Sequence, residues 1–380
     1  MPGARLVRAG SVAPMHGFLA AARRQWRWGL VGIGVLALVS APALVDALPV
    51  ERSDLPLETL VQRIEASADR PYHGYAEGRG ALRLPELPGA ADLGTLMSDT
   101  SRMRLWYDGP DRWRTDLLYS GGERDRYGEP DGMWVWDSGT HRSVFVQDET
   151  QLRLPIPIDL TPPDLARRLL EAAQPDELEP LAARRVAGHD GDGLRIRPSA
   201  PESTIDTIDI WADAETGLPL RVEITAKSRD NPSLHSGFLE LEQERPDPDL
   251  VSFEPPSGGV QQQDADLDLV QAIERYSRTL LPDTLAGRPR ATEQASAAAI
   301  YGDGYTSVGV LALPQEFITD TLRALPTSDR PWGKTVALIR TPLVNGMIFA
   351  DGGTAFILGG PVTVAELDRL AEDLVEQGVQ

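Results

Sequence analysis

Apolar positions first take helical spacing at Leu57, Leu60, Val61 and Ile64, directly after Pro56. From Tyr72 to Val146 the period shortens to two and is broken repeatedly by Gly and Pro, which predicts short antiparallel strands. Two hairpins stand out. In the first, Arg102–Tyr107 and Trp113–Tyr119 flank Asp108-Gly109-Pro110-Asp111; a five-residue loop sets Tyr107, Leu105 and Met103 opposite Trp113, Thr115 and Leu117. In the second, Met133–Trp136 and Ser143–Val146 flank Asp137-Ser138-Gly139-Thr140. A helix follows, with Thr161 at its N-cap, Pro162 at its first position, Asp164 in its first turn, and an apolar stripe of Leu165, Leu169 and Ala172.

Strands resume at Leu194–Arg197, and Ile208/Ile210/Ala212 then alternate with polar residues, as do Leu220/Val222/Ile224 after the Glu215-Thr216-Gly217 turn. A strand ends the domain at Val251–Pro256. Residues 257–266 read as a linker and Leu267–Leu281 as a helix. Beyond them the pattern predicts a strand over Tyr305–Leu313, a helix over Pro314–Leu325, and strands at Thr335–Arg340, Met347–Ala350 and Thr354–Leu358. The last two join through Asp351-Gly352-Gly353. Thr363-Val364-Ala365-Glu366 is a capping box for a final helix burying Val364, Leu367, Leu370 and Leu374. The expected organisation is a tail with signal segment over 1–47, a sheet domain over 48–260, a linker with helix over 261–291, and a small α+β domain over 292–380.

The amino terminus changes the picture of where this chain works. Arg23, Arg24 and Arg27 precede an uncharged run, Trp28–Val45, which reads as a secretory signal or an uncleaved anchor. Ala41-Pro42-Ala43 and Val45-Asp46-Ala47 resemble cleavage sites. The arginines stay inside and everything after about residue 47 lies outside the cytoplasmic membrane. With 37 basic and 57 acidic residues the net charge is −20, the wrong sign for a nucleic-acid partner. Only Lys227 and Lys334 are lysines, a usage that suggests a GC-rich genome. The absence of cysteine removes a lipidated cysteine, disulfides, zinc–thiolate sites and a cysteine nucleophile.

Signals for chemistry are weak. His16, His73, His141, His189 and His235 are scattered without metal-ligand spacing. His189-Asp190-Gly191-Asp192-Gly193 could be a metal loop but reads better as a solvated turn. Asp264, Asp266 and Asp268 lack the glycine and distal glutamate of a calcium loop, and Glu240 with Glu242 reads as a solvent-facing strand pair. No nucleophile elbow or phosphate loop is present. The chain reads as a non-enzyme with no cofactor.

Several segments carry a family resemblance. Leu105-Trp106-Tyr107-Asp108-Gly109-Pro110-Asp111-Arg112-Trp113-Arg114 resembles the early hairpin of the periplasmic lipoprotein carriers LolA and LolB. Asp131-Gly132-Met133-Trp134-Val135-Trp136-Asp137 is similar to their next hairpin, and the proline-led helix at 161–173 falls where they insert a covering helix. Trp211-Ala212-Asp213 through Gly217-Leu218-Pro219-Leu220-Arg221, and Phe253-Glu254-Pro255-Pro256-Ser257-Gly258, resemble their closing strands. Tyr301-Gly302-Asp303-Gly304-Tyr305 through Val310, and Ile357-Leu358-Gly359-Gly360-Pro361-Val362-Thr363, resemble the C-terminal domain of the RseB/MucB branch. With the arginine-rich usage, this suggests an actinobacterial version.

The resemblance implies an α+β fold: a curved antiparallel half-barrel covered by helices, followed by a small α+β domain. It implies an acyl chain or lipoprotein as ligand, held between sheet and helices. Leu82, Leu84, Leu105, Tyr107, Trp113, Leu117, Trp134, Trp136, Ile156, Leu165 and Leu169 are the expected lining. Taken singly, each of these residues reads more readily as ordinary core, and the lining reading rests on the set as a whole. The implied role is carrier, or envelope-stress sensor acting on the external segment of a membrane anti-sigma factor or a transporter. A structural or protein-interaction module is the alternative, and a hydrolase a distant third.

Overall fold

The computed structural model describes residues 50, 52–82, 97, 100–119, 121–147, 155–256, 260–263, 276–291, 296–319 and 325–379. The alternating runs form twelve strands of one sheet. In chain order they are β1 (Tyr72–Gly80), β2 (Thr100–Gly109), β3 (Arg112–Tyr119), β4 (Gly122–Glu129), β5 (Gly132–Asp137), β6 (Arg142–Gln147), β7 (Leu178–Val186), β8 (His189–Ile196), β9 (Ile205–Asp213), β10 (Pro219–Ala226), β11 (Leu234–Glu242) and β12 (Val260–Gln263). Across the sheet the order is β12-β6-β5-β4-β3-β2-β1-β11-β10-β9-β8-β7. The ends, β12 and β7, do not pair, so the sheet stays an open half-barrel. Neighbours run antiparallel apart from β12, which lies parallel to β6.

One face is covered by helices. α1 (Leu57–Ala66) packs on α2 (Pro162–Glu171), which lies over β10 and β11, while a 3-10 turn at Pro157–Leu160 approaches β3. Leu60 and Ile64 of α1 and Leu165, Ala166 and Leu170 of α2 are buried in a single core with the apolar residues of β1–β3 and β8–β11. The stripe of α2 is therefore turned slightly from the predicted one: Leu170 is buried and Leu169 only half so. Thr161 donates its hydroxyl to the Ile158 carbonyl and to Asp164, so it serves the preceding turn and does not cap the helix amides.

A two-residue ladder, β13 (Thr284–Leu285) with β14 (Arg288–Pro289), leads into a second sheet. Its strands are β15 (Ala298–Tyr301), β16 (Val308–Pro314), β17 (Thr327–Asp329), β18 (Thr335–Arg340), β19 (Asn345–Asp351) and β20 (Thr354–Gly360), ordered β15-β16-β20-β19-β18-β17. α3 (Val364–Glu376) packs against β19 and β20. Gly352 and Gly353, both at positive φ, make the predicted tight turn. Thr363 accepts from the Glu366 amide as expected of a capping box, but the Glu366 carboxylate does not return to the cap. It bonds Arg288 and Arg369 instead, and the Thr363 amide bonds the Glu202 carbonyl.

The two sheets belong to one compact unit, Val50–Gln380. Ser203 bridges to Val362, the Thr204 hydroxyl bonds the Leu343 carbonyl, and Tyr305 and Leu343 join the core of the first sheet.

Several sequence-level expectations are corrected. His189–Gly193 lies inside β8; the turn falls one step earlier, at Ala187-Gly188, where both residues have positive φ. Val251–Pro256 is irregular, and within the expected linker residues 260–263 form β12, where edge pairing with β6 substitutes for any apolar alternation. Tyr276–Leu281 is not helical. The strand expected from Tyr305 starts at Val308, because a 3-10 turn at Gly304–Thr306 occupies its first residues. Pro314–Leu325 opens with a 3-10 turn at Gln315–Phe317. The segments 1–47 and 267–275, and Asp264, Asp266 and Asp268, lie outside the described residues. Among the described residues no helix is long and apolar enough to cross a membrane.

Candidate functional site

Cross-strand partners share a face, so the ladders sort every side chain of the sheet to one side or the other. One row is Tyr72, Tyr107, Trp113, Gly128, Met133 and Val146, and the next is Gly74, Leu105, Thr115, Arg126, Val135 and Val144. Both face the helices. The register of the first hairpin is the predicted one: Tyr107, Leu105 and Met103 oppose Trp113, Thr115 and Leu117. A bulge at Asp108 absorbs the odd residue of the loop. Tyr107 stacks on Tyr72 at 5.0 Å and donates its hydroxyl to the Ala68 carbonyl. The Trp113 indole lies against Gly128, where a Cβ would come within 2.2 Å of it, so the glycine makes room for the ring.

Of the expected lining, Leu82, Leu105 and Leu117 are at most 2% exposed and share one core with Tyr107, Trp113 and Leu165. Ile156 and Leu169, with Met97 and Met133, form a half-buried border to that core. Leu84 lies outside the described residues. Trp134 and Trp136 are not brought to this face. They pair with Tyr127 and Asp125 of β4, so the period of two carries them to the outer face, while Met133 and Val135 point inward. The run Met133-Trp134-Val135-Trp136 is apolar on both faces, so its alternation cannot say which side is inside. Thr115 falls on this face as the predicted register sets it, whereas Arg126 was missed as an inward-facing polar group. Both are buried, and the Thr115 hydroxyl has no partner among the described residues. Only the alternation of β4 about Gly128 could have flagged Arg126.

The outer face carries a second aromatic cluster. Trp134 lies 5.0 Å from Phe145, and Phe253 reaches across from the segment after β11 to Tyr127, Trp134 and Trp136 at 4.8, 5.5 and 6.3 Å. Next to it the Arg114 guanidinium sits between the rings of Trp106 and Tyr127, 4.9 Å from each. Arg114 binds Asp116 bidentately, and Asp116, Glu123 and Asp125 bring carboxylate oxygens within 4.8 Å of one another. A guanidinium already supplies the positive charge there, so the donor set does not fit a metal ion. Burial and the neighbouring Asp116 charge push the Asp125 carboxyl up to about 7, against the pull of Arg114. Burial likewise pushes Asp116 up, opposed by Arg114.

Elsewhere the polar groups bind each other. His189 contacts the Leu241 carbonyl and Gln243, and lies 3.6 Å from Asp213. Arg195 and Asp209 form a two-point pair, and Glu242 is exposed beside His73. Among the described residues none of these sets places a nucleophile, a base and an orienting acid in one line.

No protein-family model and no curated protein matches the chain. Among solved structures, it is similar to MucB in complex with MucA(peri), at 18% identity and a TM-score of 0.46, over 84% of this chain and 98% of that one. It is similar to the Pseudomonas aeruginosa MucA/MucB complex at 18% identity and 0.45, over 82% and 96%. To a LolA superfamily protein of Nitrosomonas europaea it is similar at 8% identity and 0.21, over 83% and 97%.

Proposed function

We propose that the exported part of this chain is a lipid- or lipoprotein-binding protein, working outside the cytoplasmic membrane by binding and not by catalysis. One observation carries the reading: the inner face of an open sheet is largely apolar from β3 to β8 and, among the described residues, is covered mainly by two ten-residue helices and short 3-10 turns. Met97, Met133, Ile156 and Leu169 are among the half-buried residues packed against that core, and this border is the point of entry for an acyl chain. Two of these are methionines, whose unbranched side chains repack readily. Ten buried methylenes contribute about 8 kcal/mol at ~0.8 each. Ordering the ligand and displacing α2 remove several of these, leaving roughly micromolar to millimolar affinity, a range from which release is easy.

The resemblance in the sequence adds a role. Either the protein carries lipoproteins, or it senses them and reports through the second sheet to the external segment of an anti-sigma factor. Residues 28–45 hold the sensor at the membrane or are removed from the carrier, and the mature mass in cells separates the two. The test of binding is titration of the delipidated full-length protein with a fluorescent fatty acid. Saturable binding, weakened by Met133→Trp at the border, supports the reading; its absence rejects it. A second reading rests on the near-complete burial of Leu82, Leu105 and Leu117 by the protein's own side chains. A filled interior makes the half-barrel a protein-interaction module that works through its surface.

A further inference from the structure

Asp116 of β3 and Asp125 of β4 are direct cross-strand partners on the outer face, 1% and 4% exposed. The charged and titratable groups facing Asp125 are Arg104 from β2, Arg114 and Asp116 from β3, and Glu123 and Tyr127 from β4. The facing residues of β5 and β6, Trp136 and Ser143, carry no charge. Arg114 donates to both oxygens of Asp116, at 2.6 and 2.8 Å, and reaches Asp125 only at 3.4 Å; Arg104 pairs with Glu123 at 3.6 Å near the surface. Two guanidinium groups thus meet three acids, and the group is neutral only when one acid keeps its proton. The Oδ1 atom of Asp125 is buried and, among the described residues, receives no hydrogen bond. Ionised, it would be an orphaned acceptor beside another carboxylate; protonated, it can donate to Asp116.

The surroundings provide a route outward from this proton. Arg114, which neutralises the pair, stacks on Tyr127, and Tyr127 lies under Phe253. Trp136, the cross-strand partner of Asp125, also touches Phe253. We propose that Asp116 and Asp125 form a proton-held clasp: with one shared proton the outer face is closed under Phe253, and loss of that proton loosens the segment carrying Phe253. The extracytoplasmic side, where the sequence places this domain, follows the pH of the environment, so the device would act on a changing signal.

The Asp125 carboxyl ionises near 7 when closed and at its ordinary value, 3.8, when solvated. Opening is then favoured roughly tenfold more at pH 8 than at pH 6, and levels off above that. The test is amide hydrogen exchange of the full-length protein, corrected for the chemical rate, over residues 113–119, 121–128 and 250–254. Wild type should lose about tenfold in protection from pH 6 to pH 8. Asp125→Asn, which keeps a donor to Asp116 but has no proton to lose, should show none of this dependence. Glu123→Gln removes a facing negative charge and should move the midpoint to lower pH. Constant protection in wild type overturns the proposal, as does a tenfold loss persisting in Asp125→Asn. Should that variant not fold, an unmoved midpoint in Glu123→Gln overturns it equally.

Discussion

Replacing Gly128 by alanine probes the inner face where its packing matters most. A Cβ built there stands 2.2, 2.3 and 2.7 Å from three atoms of the Trp113 indole, against an ordinary contact of about 3.7 Å. The backbone is not the obstacle, since Gly128 is not at positive φ, and alanine in a strand gains about 0.5–1 kcal/mol over glycine by restricting the unfolded chain. The ring must therefore move by more than an ångström. If the space beyond it is filled by the protein's own side chains, overpacking costs about 1–3 kcal/mol, and more if the indole is expelled from the core. If the interior is partly hollow, the ring swings inward and the loss falls below about 1 kcal/mol. Urea denaturation followed by tryptophan fluorescence gives the free energy, and near-ultraviolet circular dichroism reports the ring. A variant as stable as wild type with an unchanged aromatic spectrum would refute the placement of Trp113 on Gly128.

Three further outcomes are expected. Arg288→Ala leaves Glu366 buried and removes the link to Glu202, so it should cost about 3 kcal/mol in chemical denaturation, less the share that Arg369 retains. Tyr305→Phe deletes the hydrogen bond to the Leu169 carbonyl and should cost about 1 kcal/mol, with faster amide exchange confined to the end of α2. Asp137 has its carboxyl desolvated, yet Arg124 and Thr140 hold it down to about 2. A depressed acid stabilises the fold above its unfolded value of 3.8, and that stability is lost as pH falls towards 2; Asp137→Asn should remove this part of the acid limb in thermal melts.

What could be read from the chain is what neighbours in sequence decide. The register of the Tyr107–Trp113 hairpin follows from alternation on both arms and the length of the loop between them. α2 announces itself through Pro162 and Pro163 at its start, and α3 through Thr363. The pattern by itself gave many short strands and few helices, and the open half-barrel followed only from the family resemblance. The candidate lining was legible only in part. Leu105, Tyr107, Trp113 and Leu117 fall on the inner face, in arms where Arg104, Arg112, Arg114 and Asp116 mark the other side, whereas Trp134 and Trp136, embedded among apolar residues, do not.

Local pattern alone therefore determined the strand-rich fold, the main hairpins and the helix starts, because turn chemistry and side-chain period act over a few residues. Tertiary structure alone decided which face each tryptophan takes, because the position of β5 depends on its pairing with β4. It also decided that VQQQ becomes an edge strand and that Asp116, Asp125 and Arg114 are buried together. Burial and charge proximity, which set whether an acid keeps its proton, exist only once separate strands have been laid side by side.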